Sequence, residues 1–162
     1  MAEVFDQCIS SPVGWLKISV TENALVSIAF CGHEEDSSAK LPELTETVIQ
    51  QLNEYFEGTR FTFDLPLSPQ GSEFQKKVWN LVAEVPFGDT TSYLDIALRS
   101  GSEKNTRAVG LANGKNPIPI VIPCHRIIGS NGKLTGYAGG LDKKRWLLQH
   151  ELRYSDRKNL LF

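Results

Sequence analysis

Cys124, His125 and Arg126 stand in succession at the end of the run Ile118-Pro119-Ile120-Val121-Ile122-Pro123. A thiol beside an imidazole and a guanidinium sits in positive potential, which favours thiolate over thiol. The chemistry this points to is nucleophilic attack by the Cys124 sulfur. An inert buried cysteine is the competing reading, since free cysteine is among the most buried residue types. The β-branched run predicts a buried strand. Consecutive strand residues face opposite ways, so His125 serves Cys124 only if the chain turns at Pro123 or a water links them. A histidine that takes a proton also needs a partner to orient it. Glu151 is the acid favoured for that role, against its reading as a solvated helix residue. A thiol hydrolase needs a separate, distant histidine. The other two, His33 and His150, sit in no supporting motif.

The elements that must position these groups lie in the second half of the chain. Ser72 caps a predicted helix running through Phe74, Val78, Trp79, Val82 and Val85, ended by Pro86 and Gly88. A second helix spans residues 93–100 and stops at Gly101; a third begins at Asn105 or Thr106 and runs to about Asn113. Two short helices across a tight glycine-containing turn form a helix-turn-helix pattern. Within the third, Gly110 weakens the helix by about 1 kcal/mol relative to alanine. Close approach to a neighbouring helix or to a nucleic-acid groove are the two readings. Residues 129–140 hold five glycines and one aromatic, Tyr137, in a loop able to approach a ligand closely. It is no phosphate loop, because Leu134 follows Gly132-Lys133. A last helix over residues 141–152 carries Trp146, Leu147 and Leu148 toward the core.

The first half reads as a small α+β unit. Residues 15–21 and 24–30 alternate around Glu22-Asn23 as a hairpin, residues 43–56 show helical spacing, and residues 61–65 read as a short strand. Residues 1–70 carry three basic side chains against eleven acidic, and residues 71–162 carry fourteen against eight, within a net charge of −2. That asymmetry suits a polyanion-binding unit beside one that does not bind. The boundary falls on the turn-rich Leu67-Ser68-Pro69-Gln70-Gly71-Ser72. No apolar run approaches the ~18 residues of a membrane span, and the first ten residues lack the basic end and apolar core of a signal peptide. Three cysteines exclude a complete disulfide framework. A soluble intracellular protein in a reducing compartment is expected.

Taken together, Ile122-Pro123-Cys124-His125-Arg126 follows Asn116-Pro117, precedes Gly136-Tyr137-Ala138-Gly139-Gly140, and leads to Trp146-Leu147-Leu148-Gln149-His150-Glu151. With Phe87-Gly88-Asp89-Thr90-Thr91-Ser92-Tyr93 and Thr106-Arg107-Ala108-Val109-Gly110 upstream, these motifs resemble the O6-alkylguanine-DNA alkyltransferases, the methylated-DNA–protein-cysteine methyltransferases. The similarity is dense over residues 72–152 and thin before them, where Ser11-Pro12-Val13-Gly14 carries it. The fold expected is α+β. A structural antiparallel-sheet-plus-helix domain covers residues 1–70, and a mostly helical, winged-helix-like DNA-binding domain with the active site covers residues 71–162.

The resemblance implies direct repair. Cys124 would take the alkyl group from guanine O6 in duplex DNA, irreversibly and once per molecule, with no metal or organic cofactor; O4-alkylthymine stays open as a second substrate. By the same resemblance His125 acts as base through a bridging water and Glu151 orients it. Arg107 enters the base stack, and Tyr93 presses on the adjacent phosphate to rotate the nucleotide. Asn116 ties the recognition helix to the cysteine segment, Tyr137 hydrogen-bonds the guanine edge, backbone around Ala138 meets the O6 region, and Arg126 anchors the turn. The helix-turn-helix enters the minor groove, where Ala108, Gly110 and Ala112 suit a width of ~6 Å. Double-stranded DNA is the partner expected of a monomer in the cytoplasm, or in the nucleus of a eukaryote. Ala138 stands where some relatives have serine, and Asn113 where some have a larger apolar residue. Cys8, Cys31 and His33 miss the places of the zinc ligands that some relatives carry, so no metal is expected. Two rivals are a lesion-binding protein without transfer and an unrelated Cys-His hydrolase.

Overall fold

A computed structural model describes residues 2–160, with side chains for residues 2–156. Two compact units divide the chain, Met1–Gln70 and Gly71–Phe162. In the first, strands β1 (Phe5–Ile9), β2 (Trp15–Val20) and β3 (Leu25–Cys31) form an antiparallel sheet in that order. The β2–β3 hairpin is the one its alternation predicts; Leu16, Ile18 and Val20 turn inward and are fully buried. Helix α1 (Glu43–Glu57) buries Val48, Leu52 and Tyr55 and ends on Gly58 at φ 80°.

The strand expected over residues 61–65 does not form. Gln51 captures its backbone instead, donating to Asp64 O at 3.0 Å and accepting from Asp64 N at 2.9 Å. A side-chain amide thus replaces the ladder a strand would need. Pairing with β3 is confined to Leu67 opposite Leu25.

In the second unit, helix α2 (Glu73–Ala83) opens on a capping box between Ser72 and Gln75. It stops two residues short of the predicted Val85, ahead of Pro86. Strand β4 (Thr91–Ser92) leads directly into α3 (Tyr93–Ser100), whose N-cap Ser92 accepts from Asp95 N. A single 3-10 turn, Glu103–Asn105, joins α3 to α4 (Thr106–Gly114). Val78, Val82, Ile96, Ala97 and Val109 are buried between these helices, and Trp79 Nε1 donates to Ala112 O at 2.8 Å.

The run at residues 118–122 is not a strand. Pro119 has no N–H to give, Ile120 takes φ 75°, and Ile122 N reaches back to Ile118 O at 2.9 Å. The segment is a closed reverse turn whose three isoleucines are buried because it is inside, not because it is paired. A β-branched residue at positive φ costs on the order of 1–3 kcal/mol and marks a position held by its surroundings. After it come a 3-10 turn, Cys124–Arg126, and strand β5 (Ile127–Ile128), parallel to β4. Helix α5 (Leu141–Leu160) outruns the expected residues 141–152.

Candidate active site

The nucleophile lies in the 3-10 turn, so the opposite-face problem of a strand does not arise. Cys124 N donates to Ile122 O at 2.7 Å, and Arg126 N to Pro123 O at 2.9 Å. Two amides at the C-terminal end of α4 fix this backbone. Asn113 Nδ2 donates to Cys124 O at 3.2 Å, and Asn116 Nδ2 to Ile122 O at 2.8 Å. Asn116 Oδ1 accepts from Ile118 N at 2.9 Å, which closes the reverse turn.

Helix α5 brings Glu151 to the other side. Its carboxylate accepts from His125 Nε2 at 2.6 Å and from Arg126 Nε and Nη2 at 2.7 and 3.0 Å. Gly88 N adds a fourth donor at 3.2 Å. Gly88 needs to be glycine: its φ is +85°, and a Cβ there would meet Ser155 Cβ at 2.9 Å. Arg126 also donates to Val85 O at 2.6 Å and lies over the Phe87 ring. The guanidinium expected to anchor a turn therefore grips the histidine's own carboxylate.

Charge states follow from burial. Burial alone would raise the Glu151 pKa, but the charge His125 gains in acid, its hydrogen bond, and the hydrogen bonds and charge of Arg126 outweigh it and hold the group well below the usual carboxylate range. His125 is fully buried, and that burial lowers its pKa despite Glu151, leaving a neutral imidazole. With Nε2 on Glu151, the ring presents Nδ1, buried and without a hydrogen-bond partner among the described residues, as its proton acceptor.

The thiol departs from the sequence expectation. Burial pushes Cys124 up to about 11, and the Asn116 hydrogen bond, the Lys144 charge and nearby backbone N–H groups only partly oppose it. The resting group is thiol, and reaching thiolate at neutral pH costs on the order of 5 kcal/mol. A nearby base is needed, and neutral His125 is one.

Other predicted residues are placed as follows. The Tyr137 hydroxyl is buried; burial, then the Cys124 charge once that group ionises and the charge of Glu151, raise its pKa well above 10, so it stays protonated and able to donate a hydrogen bond. Ala138 is exposed in the same loop. Tyr93 starts α3 half-buried, with its hydroxyl 2.7 Å from Thr135 Oγ1. Arg107 and Ala108 are exposed in the first turn of α4. A Cβ on Gly110 would make only ordinary contact with Tyr93, at 3.9 Å, so intramolecular packing does not demand this glycine.

Sequence reasoning left two site residues without a role, Asn113 and Lys144. Lys144 is wholly buried. Its signal was position: residues 144, 147 and 151 share one face of a helix, and that face is the buried one. Among the described residues no group of three His, Cys, Asp or Glu side chains is placed to hold a metal ion, and no helix is long and apolar enough to cross a membrane.

Residues 73–153 match the family model for the 6-O-methylguanine DNA methyltransferase DNA binding domain, and residues 4–69 that for its ribonuclease-like domain. The chain belongs to the 6-O-methylguanine DNA methyltransferase family. A methylated-DNA–protein-cysteine methyltransferase of Methanosarcina acetivorans is 46% identical over 146 residues, covering 87% of this chain and 94% of the relative. The crystal structure of Mycobacterium tuberculosis O6-methylguanine methyltransferase superposes with a TM-score of 0.85 at 39% identity, over 94% of each chain. The M. tuberculosis protein in complex with DNA gives 0.81 at 40% identity, over 91% of this chain and 92% of that one. The α+β fold expected from sequence is the fold of this family.

Proposed function

We propose that this protein repairs duplex DNA by moving the alkyl group of O6-alkylguanine onto its own Cys124, once per molecule. One observation carries the reading: a cysteine in a buried 3-10 turn is followed directly by a neutral histidine whose far nitrogen is 2.6 Å from a carboxylate. In the reaction the thiol proton passes through a water to His125 Nδ1. The sulfur attacks the alkyl carbon in line, an S–C bond forms, and the C–O6 bond breaks. Its electron pair stays on guanine, where the Tyr137 hydroxyl donates a hydrogen bond to it, and the proton taken up by His125 returns to the leaving base, so Tyr137 keeps its own. Glu151 orients the ring and stabilises the imidazolium. Asn116 donates to the forming thiolate.

The extruded base costs a few kcal/mol to unstack. Arg107 fills the gap it leaves, and Tyr93 exchanges its Thr135 hydrogen bond for a phosphate. Exposed Ala108 and small Gly110 let α4 lie against a narrow groove. The domain of residues 71–162 binds DNA and accepts the alkyl group, and residues 1–70 are structural. A monomer in the cytoplasm, where thiols stay reduced, suits a working cysteine.

Incubation with a duplex containing O6-methylguanine should add one methyl group to the Cys124 peptide by mass spectrometry. Unchanged mass with retained duplex binding would make the protein a lesion binder. Turnover of an ester without salt-sensitive DNA binding would make it a hydrolase.

A further inference from the structure

Of the two amides that hold the nucleophile's turn, only one is used at both ends. Asn116 donates from Nδ2 to Ile122 O and accepts at Oδ1 from Ile118 N. Asn113 donates from Nδ2 to Cys124 O at 3.2 Å, and its Oδ1 has no hydrogen-bond partner among the described residues. The residue is 5% exposed. Turning the amide over gives no relief: Cys124 O can only accept, so the NH2 group must face it. Buried polar groups are nearly always bonded, and an acceptor left unmade costs stability. A leucine would fill about the same space without that cost.

The bond to Cys124 accounts for the nitrogen of this amide and leaves the oxygen unexplained. The turn's other buried acceptor without a partner, His125 Nδ1, is the base of the reaction. Asn113 Oδ1 has no such task, yet its amide is fixed on the carbonyl of the alkyl-accepting residue itself. A donor that arrives only with the substrate would complete it.

Guanine offers one. Its O6 and its 2-amino group lie on the same edge, with ring N1 between the carbons that bear them. Alkylation of O6 leaves N1 without a hydrogen, so the 2-amino group holds the only N–H donors of the damaged base. On the protein side, the sulfur and the carbonyl oxygen belong to one residue, and Asn113 sits on that oxygen. A base that presents its alkyl carbon to the Cys124 sulfur brings the far end of the same edge toward the Cys124 backbone and the amide bound to it.

We infer that Asn113 is a specificity-determining residue: its buried Oδ1 accepts a hydrogen bond from the 2-amino group of the alkylated guanine. The inference rests on the reading of Cys124 as the alkyl acceptor. It also ranks the second substrate. O4-alkylthymine carries ring N3 without a hydrogen and a carbonyl, O2, at the corresponding places, so it has no N–H to give and sets an acceptor against an acceptor. A site built to bond a substrate N–H discriminates strongly against an analogue that lacks it.

The experiment compares duplexes that differ only in the damaged base: O6-methylguanine, O6-methylhypoxanthine (the same purine with hydrogen in place of the 2-amino group) and O4-methylthymine. Single-turnover methylation of Cys124 is followed by peptide mass spectrometry, with melting temperature alongside. The parent should transfer from guanine about tenfold faster than from hypoxanthine, or more, and should favour guanine over thymine by at least as much. Asn113→Leu and Asn113→Met each remove the acceptor, and each should lower the guanine-to-hypoxanthine ratio by about tenfold relative to the parent. Losing the bond to Cys124 O slows both substrates alike, and each lesion costs the same to extrude whichever protein meets it, so the change in ratio reads the oxygen alone. A parent that does not distinguish guanine from hypoxanthine overturns the proposal. So does a folded apolar variant that keeps the parental ratio, or unfolding of both variants, which would make the amide a requirement of the fold. No methyl on Cys124 from any of the duplexes would instead overturn the alkyl-acceptor reading.

Discussion

Replacing Glu151 with glutamine tests chemistry and stability at once. The carboxylate is 1% exposed and Arg126 is 6% exposed, with Nε and Nη2 at 2.7 and 3.0 Å from its two oxygens. Glutamine keeps the shape but leaves a buried guanidinium without a counter-charge, which costs about 3–5 kcal/mol. For a domain of this size that lowers the melting temperature by on the order of 15 °C. The loss comes from the stranded cation, so Arg126→Met in the same molecule should recover most of it. Activity should not return. His125 would still lack the anion that stabilises its protonated form, and transfer should stay at least about 100-fold slow, the low end for general-base assistance. Differential scanning calorimetry and single-turnover transfer from O6-benzylguanine, at a temperature where all variants are folded, read the two effects separately. The reasoning fails if Glu151→Gln melts within about 2 °C of the parent, or if the double variant transfers at the parental rate.

Acid should weaken the fold in a defined window. The depressed pKa of His125 means that the unfolded chain binds its proton more readily. Stability is therefore complete above about pH 6.5 and falls below it by up to about 1.4 kcal/mol per pH unit. Depressed Glu151 adds a second loss below about pH 4.3, and urea midpoints between about pH 7.5 and 5 should flatten in His125→Gln. Arg107→Ala should cost about tenfold or more in transfer from duplex, the equivalent of a kcal/mol or two of lost extrusion energy. It should cost little with free O6-benzylguanine, which needs no extrusion; parallel rate measurements on the two substrates check this. Gly88→Ala should destabilise by about 2 kcal/mol or more, since a positive φ and a 2.9 Å approach to Ser155 Cβ act together; thermal unfolding reads it directly.

The helices were legible because each carried its own punctuation. Ser72, Ser92 and Gly101 mark starts and stops that the structure uses unchanged. The segment over residues 118–122 was misread for the reason that β-branched residues suit strands: apolar content reports burial, and here burial comes from a turn sewn by Asn116. The segment over residues 61–65 was misread because a distant glutamine supplies its hydrogen bonds, a relation no local pattern contains. Cys124, His125 and Arg126 were visible as adjacent letters. That Arg126 and His125 share Glu151 was not, because sequence does not say which way a turn points. The direction of the thiol's pKa was misjudged for a related reason: neighbouring cations were countable, while desolvation depends on the closed fold.

Asn113 and Asn116 leave almost no slack between the end of α4 and the sulfur. A helix that settles on a surface carries the reagent with it as one rigid piece, so the sulfur has little freedom to chase a partner. On the function proposed above, the target must travel instead. Damage would then be sorted first by how loosely a nucleotide is seated in its duplex, and only afterwards by what hangs from its oxygen.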